Sequence, residues 1–270
     1  MSKTSAASPP HRLLLGERRR LIVEHVEEHG RATVEELAKK FHTSAVTIRA
    51  DLEALANASA IVRSHGGALP VVPVVPVSSD IPLTIKETRH HAQKLRIGQA
   101  AAAMIRDGET IILDSGSTTV EIARQIRQRK FESLTVITNA LNIALELSGL
   151  PAIRVMMLGG LLRQTSYSLV GPDAEHTLAK LSADRLFLGV DGLDPEVGVT
   201  TPDPLESALN ALMIRVARQT IAVCDASKLG QRSLSVIAPV RQLHKVLSDG
   251  SAPTEIVEAL RNAGVQVELV

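Results

Sequence analysis

The spacing of apolar positions changes character near residue 83. Before it, the pattern is that of short helices. Leu21, Ile22, Val23 and Val26 form one stripe between Glu17 and His29, and Gly30 stops it. Leu37, Ala38 and Phe41 fall three to four apart and predict a second helix. His42-Thr43-Ser44 interrupts, and Ser44 suits the N-cap of a third helix that carries Ile48 and Leu52 inward. The other face of that third helix presents Ala45, Val46, Thr47, Arg49 and Ala50. Ile61 to Ala68 reads as a hairpin turned by Gly66-Gly67.

After residue 83 the periods alternate. A helix through Lys94, Ile97, Ala101 and Ile105 leads to a strand over Thr110–Leu113, a polar turn and a helix to about Arg129. Strands over Leu134–Ile137, Ile153–Leu158, Arg185–Val190 and Thr220–Cys224 follow, separated mostly by helical stretches, with a final strand, helix and strand. Strands alternating with helices at this spacing predict an α/β domain with a largely parallel sheet covered on both faces. Pro70, Pro73, Pro76 and Pro82 between the two patterns predict a stiff extended linker. The expected organisation is a small winged helix-turn-helix domain over 13–69, a proline-rich linker over 70–83 and an α/β domain over 84–270. Residues 1–12 are expected to be disordered.

Composition narrows this in two ways. With 44% hydrophobic residues but no Trp, one Tyr and three Phe, the core must be aliphatic. A single cysteine, Cys224, excludes an internal disulfide and reads as a small buried hydrophobe in a reducing compartment. No apolar run reaches membrane-span length and the N-terminus lacks a signal segment, so a cytoplasmic protein without membrane association is expected. Net charge is +1, too small to diagnose a nucleic-acid partner; that reading rests on the motif.

Two helices joined by a tight turn, the second beginning with small uncharged residues, predict a reader of double-stranded DNA; the same spacing also fits any small helical hairpin with a satisfied core. Ser44, Ala45, Val46 and Thr47 let the helix sit deep in the major groove, Arg49 reaches a guanine edge or a phosphate, and Ala50 lies beside it. Arg63 and His65 place a basic wing against the backbone or minor groove. In the second domain the strand ends are polar. Asp114-Ser115-Gly116-Ser117-Thr118-Thr119 stands between a strand and a helix, where free N–H groups and the helix dipole favour an anion. The same residues also serve as an ordinary cap and turn. The Gly-Lys-Ser/Thr ending of a P-loop is absent, as is a dinucleotide fingerprint, so no nucleotide or other cofactor is expected. Thr138-Asn139, Gly159-Gly160, Asp191-Gly192 and Asp225 to Lys228 would share that rim in a parallel sheet. Tyr167, Ser168 and Gly171 read as a loop that could close over it.

The string TIRADL (Thr47–Leu52) followed by RSHGGA (Arg63–Ala68) resembles the DeoR family of bacterial repressors. Two positions depart from its pattern. Ala50 stands where the family has a second basic residue, which shifts weight onto Arg49, Arg63 and the Arg18-Arg19-Arg20 run; Ser59 stands where it has Gly. The resemblance extends over the sensor motifs Asp114–Thr119, Thr138-Asn139, Gly159-Gly160, Gly189–Gly192 and Asp225–Lys228. It implies a sugar-phosphate isomerase/CoA-transferase-like fold that senses a phosphorylated sugar. The run from Leu147 to Asp203 is similar to regulators of N-acetylgalactosamine and galactosamine use.

Two functions compete. One is a repressor of an amino-sugar operon, released by a phosphorylated sugar such as an amino-sugar 6-phosphate and acting as a homo-oligomer. The other is an isomerase-like enzyme carrying a DNA-binding head, with Asp191 and Glu206 as candidate bases. No compact acid/base pair and no metal-ligand spacing stand out, so neither catalytic nor metal residues are assigned.

Overall fold

The computed structural model describes residues 15–29, 31–58, 60–64, 66–70 and 80–270. Expectations for residues 1–12, Gly30, Ser59, His65 and linker residues 71–79 lie outside the described residues. The chain divides into two compact units, Met1–Val74 and Val75–Val270.

In the first unit, helix α1 (Leu15–His29) buries Ile22, Val23 and Val26. Strand β1 (Ala32–Thr33) leads into α2 (Val34–Lys40), whose start carries a full capping box: Thr33 accepts from the Glu36 N–H, and the Glu36 carboxylate accepts from the Thr33 N–H. Ser44 caps α3 (Ala45–Asn57) by accepting from the Thr47 N–H at 3.1 Å. That helix turns Ile48, Leu52 and Leu55 inward. Strands β2 (Ile61–Ser64) and β3 (Gly67–Pro70) pair antiparallel, with β1 on the other side of β3.

The wing's two glycines have separate jobs. Gly66 takes φ +82°, which the turn requires. A Cβ on Gly67 would stand 2.1 Å from the Ala32 carbonyl oxygen, so only Gly lets β1 lie against β3. β3 also runs one residue into the expected linker: Pro70, which has no N–H to donate, pairs with Ile61 alone among the described strands, so no second ladder asks it for one.

The second unit opens with the one-turn α4 (Leu83–Lys86) and α5 (His91–Ala103). Then come β4 (Thr110–Leu113), α6 (Ser117–Gln128), β5 (Leu134–Thr138), α7 (Leu141–Leu147) and β6 (Ile153–Met157). A hairpin of β7 (Leu161–Arg163) and β8 (Ser168–Val170) precedes α8 (Pro172–Leu178) and β9 (Ala183–Gly189). Next are β10 (Gly192–Asp194), β11 (Gly198–Thr201), α9 (Pro204–Val216), β12 (Ala217–Val223) and β13 (Ser235–Ala238). The chain closes with β14 (Lys245–Ser248), α10 (Thr254–Asn262) and β15 (Gln266–Leu269).

Seven strands form one sheet in the order β15-β14-β12-β9-β4-β5-β6, and every pairing in it is parallel. Successive strand residues feed opposite faces. Ile111, Leu113, Phe187 and Val223 pack with α5, α6 and α7, while Ile112, Leu186, Leu188 and Ala222 pack with α8, α9 and α10. From β4 the chain moves outward through β5 and β6; from β9 it moves the other way through β12, β14 and β15. The order therefore reverses between β4 and β9, and a crevice opens beyond their carboxyl ends.

The hairpin β7–β8 and the small antiparallel sheet β10-β11-β13 have no counterpart in the sequence reading. Their strands are three or four residues long, too short to register a period. The expected closing loop at Tyr167, Ser168 and Gly171 is corrected accordingly. Ser168 is a buried strand residue, and Gly171 sits at the start of α8.

Candidate functional site

In the first unit, α3 exposes Ser44, Val46, Arg49 and Ala50, while Ala45 and Thr47 are half-buried. Val46 is 73% exposed, so the outer face of the helix presents a short apolar side chain beside Arg49 and Ala50. Arg63 on β2 donates from Nη1 to the Arg49 carbonyl at 3.3 Å, so the wing's arginine leans on the back of the exposed helix. His65 lies outside the described residues.

The Arg18-Arg19-Arg20 run serves a different purpose from the one expected. Asp51 on α3 is 1% exposed and accepts from Arg18 Nε at 2.6 Å and Arg19 Nε at 2.9 Å. Two guanidiniums are thus spent compensating a buried carboxylate, which ties α1 to α3. Arg20 sits 3.8 Å from Glu24. On α1 the helical spacing of His25, Glu28 and His29 brings three donor atoms within 4.8 Å of one another, although the Lys40 ammonium lies 2.7 Å from His25 Nδ1.

In the second unit, the crevice at the β4/β9 reversal is a pocket with α6 at its floor. Asp114, Ser115, Gly116, Ser117 and Thr118 line it, as do Asp191 and Lys228. Gly116 precedes the first turn of α6 with φ +152° and ψ 164°, a conformation closed to residues with a side chain. A Cβ on the neighbouring Gly189 would stand 2.9 Å from the Ser115 carbonyl oxygen, which keeps β9 close against the loop. The α6 N–H groups therefore face an open, side-chain-free entrance.

Other expected residues serve packing instead. Thr119 is fully buried and donates to the Gly116 carbonyl at 3.0 Å. Thr138 donates to the Leu113 carbonyl, and the Asn139 amide to Leu169, both at the end of β5. Gly159 and Gly160 turn the chain after β6, and a Cβ on Gly160 would meet the Val170 carbonyl at 2.5 Å. Gly192 begins β10, closely packed on Gln231 and Thr200. The sheet order explains this: the pocket lies over β4, β9 and β12, whereas β5 and β6 end on its far side.

The fold supplies residues the sequence reading missed: Lys86, Ser166, Thr201 and Asn210. Lys86 Nζ lies 2.5 Å from Asp191 Oδ1, with Lys228 Nζ at 4.0 Å from the same atom. Burial alone would lift the Asp191 pKa, but Lys86 and then Lys228 outweigh it and hold the carboxyl low. Burial works to lower the Lys86 pKa, and Asp191 overcomes it, leaving the ammonium raised. Glu206 Oε1 accepts from Ser166 at 2.9 Å and Ser168 at 2.7 Å and pairs with Arg163 at 2.5 Å, while Thr201 reaches Oε2 at 3.2 Å. Asp225 is held low: burial opposes ionisation, but Lys94 and Lys228 prevail.

Asp114 differs. It is 1% exposed, its Oδ2 accepts from the Asn210 side chain at 3.4 Å, the backbone N–H groups of Ser115 and Gly189 also favour its charged form, and Oδ1 has no hydrogen-bond partner among the described residues. Burial, then the charge of Glu206, pushes its carboxyl well above the usual range. Cys224 at the pocket's edge is buried, and burial drives its thiol pKa up, away from reactivity.

Residues 18–71 match the DeoR-like helix-turn-helix domain and residues 89–250 the DeoR C terminal sensor domain. The chain belongs to the DeoR family. Relatives of this DeoR-family regulator match it over 92–100% of its length. It is 37% identical to a putative aga operon transcriptional repressor of Escherichia coli O157:H7, covering 100% of this chain and 99% of the relative. It is 36% identical to the HTH-type transcriptional regulator GlpR of Haloferax volcanii (94% and 98% covered). With the glycerol-3-phosphate regulon repressor of Escherichia coli K12 the identity is 28% (92% and 96%). Among solved structures, ribose 5-phosphate isomerase A of Methanocaldococcus jannaschii aligns with TM-score 0.38 at 17% identity, covering 52% of this chain and 54% of that one. The Pyrococcus horikoshii translation initiation factor eIF-2B aligns at 0.42 and 15%, covering 86% and 83%. The fold assignment rests on the seven-stranded parallel sheet and the family match. Among the described residues no helix is long and apolar enough to cross a membrane.

Proposed function

We propose that this DeoR-family regulator represses a carbohydrate operon, in particular one for amino-sugar use, and that a phosphorylated sugar releases it from DNA. The observation that carries the effector reading is the pocket entrance. The start of α6 opens through Gly116 beside the Lys86 and Lys228 ammoniums, so helix N–H donors and two cations stand together where a phosphate would sit. Ser115, Ser117 and Thr118 add hydroxyl donors. The unpartnered oxygens of Asp114 and Asn210 are suited to the hydroxyl or amino groups of the sugar. The amino-sugar class follows the aga operon relative and the resemblance of Leu147 to Asp203.

DNA is read by the exposed face of α3, with Val46, Arg49 and Ala50 toward the bases and Arg63 toward the backbone. The regulator works beside the chromosome in the cytoplasm and as a homo-oligomer. Support for the latter is the contrast between the sheet's edges. β15 exposes Gln266 and Glu268 with one apolar residue, Leu269, whereas β6 and the elements on either side of it in the chain, α7 and β7, expose Leu141, Leu145, Met156, Met157, Leu161 and Leu162. The enzymatic alternative loses its bases: Asp191 is clasped by Lys86, and Glu206 is saturated by Arg163 and three hydroxyls.

The test is operator binding, on a fragment selected from random DNA, titrated with galactosamine 6-phosphate. Wild type should bind and then release. Arg49→Ala should lose about 1–3 kcal/mol of sequence discrimination. Gly116→Val should bind DNA yet ignore the sugar phosphate. A Gly116→Val protein that responds like wild type would move the effector site elsewhere.

A further inference from the structure

We propose that Lys86 takes the effector's phosphate and, in leaving Asp191 to do so, passes occupancy of the pocket into the segment that joins sensor to reader. This rests on the reading of the pocket as a site for a phosphorylated ligand.

The cations among the described residues lining the pocket are Lys86 and Lys228, and both lie on Asp191, at 2.5 and 4.0 Å. A phosphate at the start of α6 carries more charge than Asp191 and more acceptor oxygens, so it competes for these ammoniums. Their positions in the chain differ. Lys228 ends a one-turn 3-10 helix, Ala226–Lys228, between β12 and β13. Lys86 ends α4, six residues after Asp80, on the stretch that follows the prolines leading from the reader.

That stretch is clamped to the pocket's walls at further points. Asp80 meets Arg163 Nη2 at 2.5 Å and Thr165 Oγ1 at 2.7 Å, and the Leu83 N–H donates to the Thr165 carbonyl. Arg163 continues to Glu206. Lys94, almost fully buried, donates to the carbonyls of Lys86 and Arg89 and stands 3.9 Å from Asp225. Residues 80–89 thus bear on Glu206, Asp191 and Asp225, three carboxylates of one pocket. Lys86 is the direct link, since its own ammonium faces the ligand's space. Exchange of Asp191 for phosphate replaces the tether of the empty pocket with a bond to the ligand. Allosteric coupling of this kind amounts to a factor of about 5–150 in affinity.

The experiment uses full-length wild type, Lys86→Gln, Lys86→Arg, Lys228→Gln and Asp191→Asn. Calorimetry gives the affinity of each for galactosamine 6-phosphate and inorganic phosphate without DNA. Anisotropy then gives operator affinity with no sugar phosphate and at saturation set from each protein's own titration. Lys86→Gln should bind the sugar phosphate about tenfold more weakly, and its operator affinity should change less than about twofold on saturation. Its unliganded operator affinity should match that of liganded wild type. Asp191→Asn, which keeps Lys86 but cuts the tether, should show the same unliganded value. Lys86→Arg should restore the response. Lys228→Gln should lose effector affinity yet keep the full response once saturated. A Lys86→Gln protein that responds at saturation like wild type would overturn the inference while leaving the pocket reading intact, as would a Lys228→Gln protein equally deaf. Wild type that binds neither phosphate compound would overturn both.

Discussion

Asp51 and Asp114 are equally buried carboxylates with opposite surroundings. Asp51 has two guanidiniums within 2.9 Å, whereas Asp114 has a weak amide contact and two backbone N–H groups, which its burial and the repulsion of Glu206 outweigh. A carboxyl whose folded pKa is raised holds its proton longer in the native state than in the unfolded chain. Stability is then highest below the ordinary carboxylate pKa and falls as pH rises toward the folded value, above which the loss is complete. Asp114→Asn mimics the protonated form and removes this loss. Melting curves across pH 4–8 should therefore show the variant gaining on wild type as pH rises. A constant difference would mean that Asp114 ionises without penalty in the folded protein.

At the scale of elements, α3 is held from two sides. Its core face packs Ile48, Leu52 and Leu55, while Asp51 draws in Arg18 and Arg19 of α1. The reading helix is therefore oriented by an ion pair as well as by apolar contact. Asp51→Ala leaves two arginines without their acceptor and should cost about 2–3 kcal/mol. Native-state hydrogen exchange in the full chain would register this as faster exchange in α1 and α3 together. Loss confined to α1 would show that the pair does not couple the two helices.

At the scale of the whole molecule, the two edges of the main sheet predict where copies meet. Leu161, 68% exposed on β7, follows the edge strand β6 in the chain after Gly159-Gly160. Leu161→Glu should convert a micromolar oligomer to monomer in sedimentation and weaken operator binding, because paired readers reinforce one another. Wild type sedimenting as a monomer with full operator affinity would refute the proposal. Linkage also requires that operator DNA change effector affinity by the same factor as the effector changes DNA affinity.

What depends on near neighbours was determined by the sequence itself. The Ser44 cap, the inward Ile48 and Leu52, the Gly66 turn and the glycine turn before α6 each need only residues within one turn, and each is legible as such. So is the alternation of strand and helix, because burial on both faces writes itself into short apolar runs. Partnerships across the chain were decided by the tertiary structure. Asp51 with Arg18 lies 33 positions apart, Lys86 with Asp191 105, and Asn210 with Asp114 96. Which polar strand ends share a pocket depends on strand order, and no local pattern encodes that order. Placing β9 rather than β5 next to β12 made Asp191 a pocket residue and left Thr138 and Asn139 to hold the backbone.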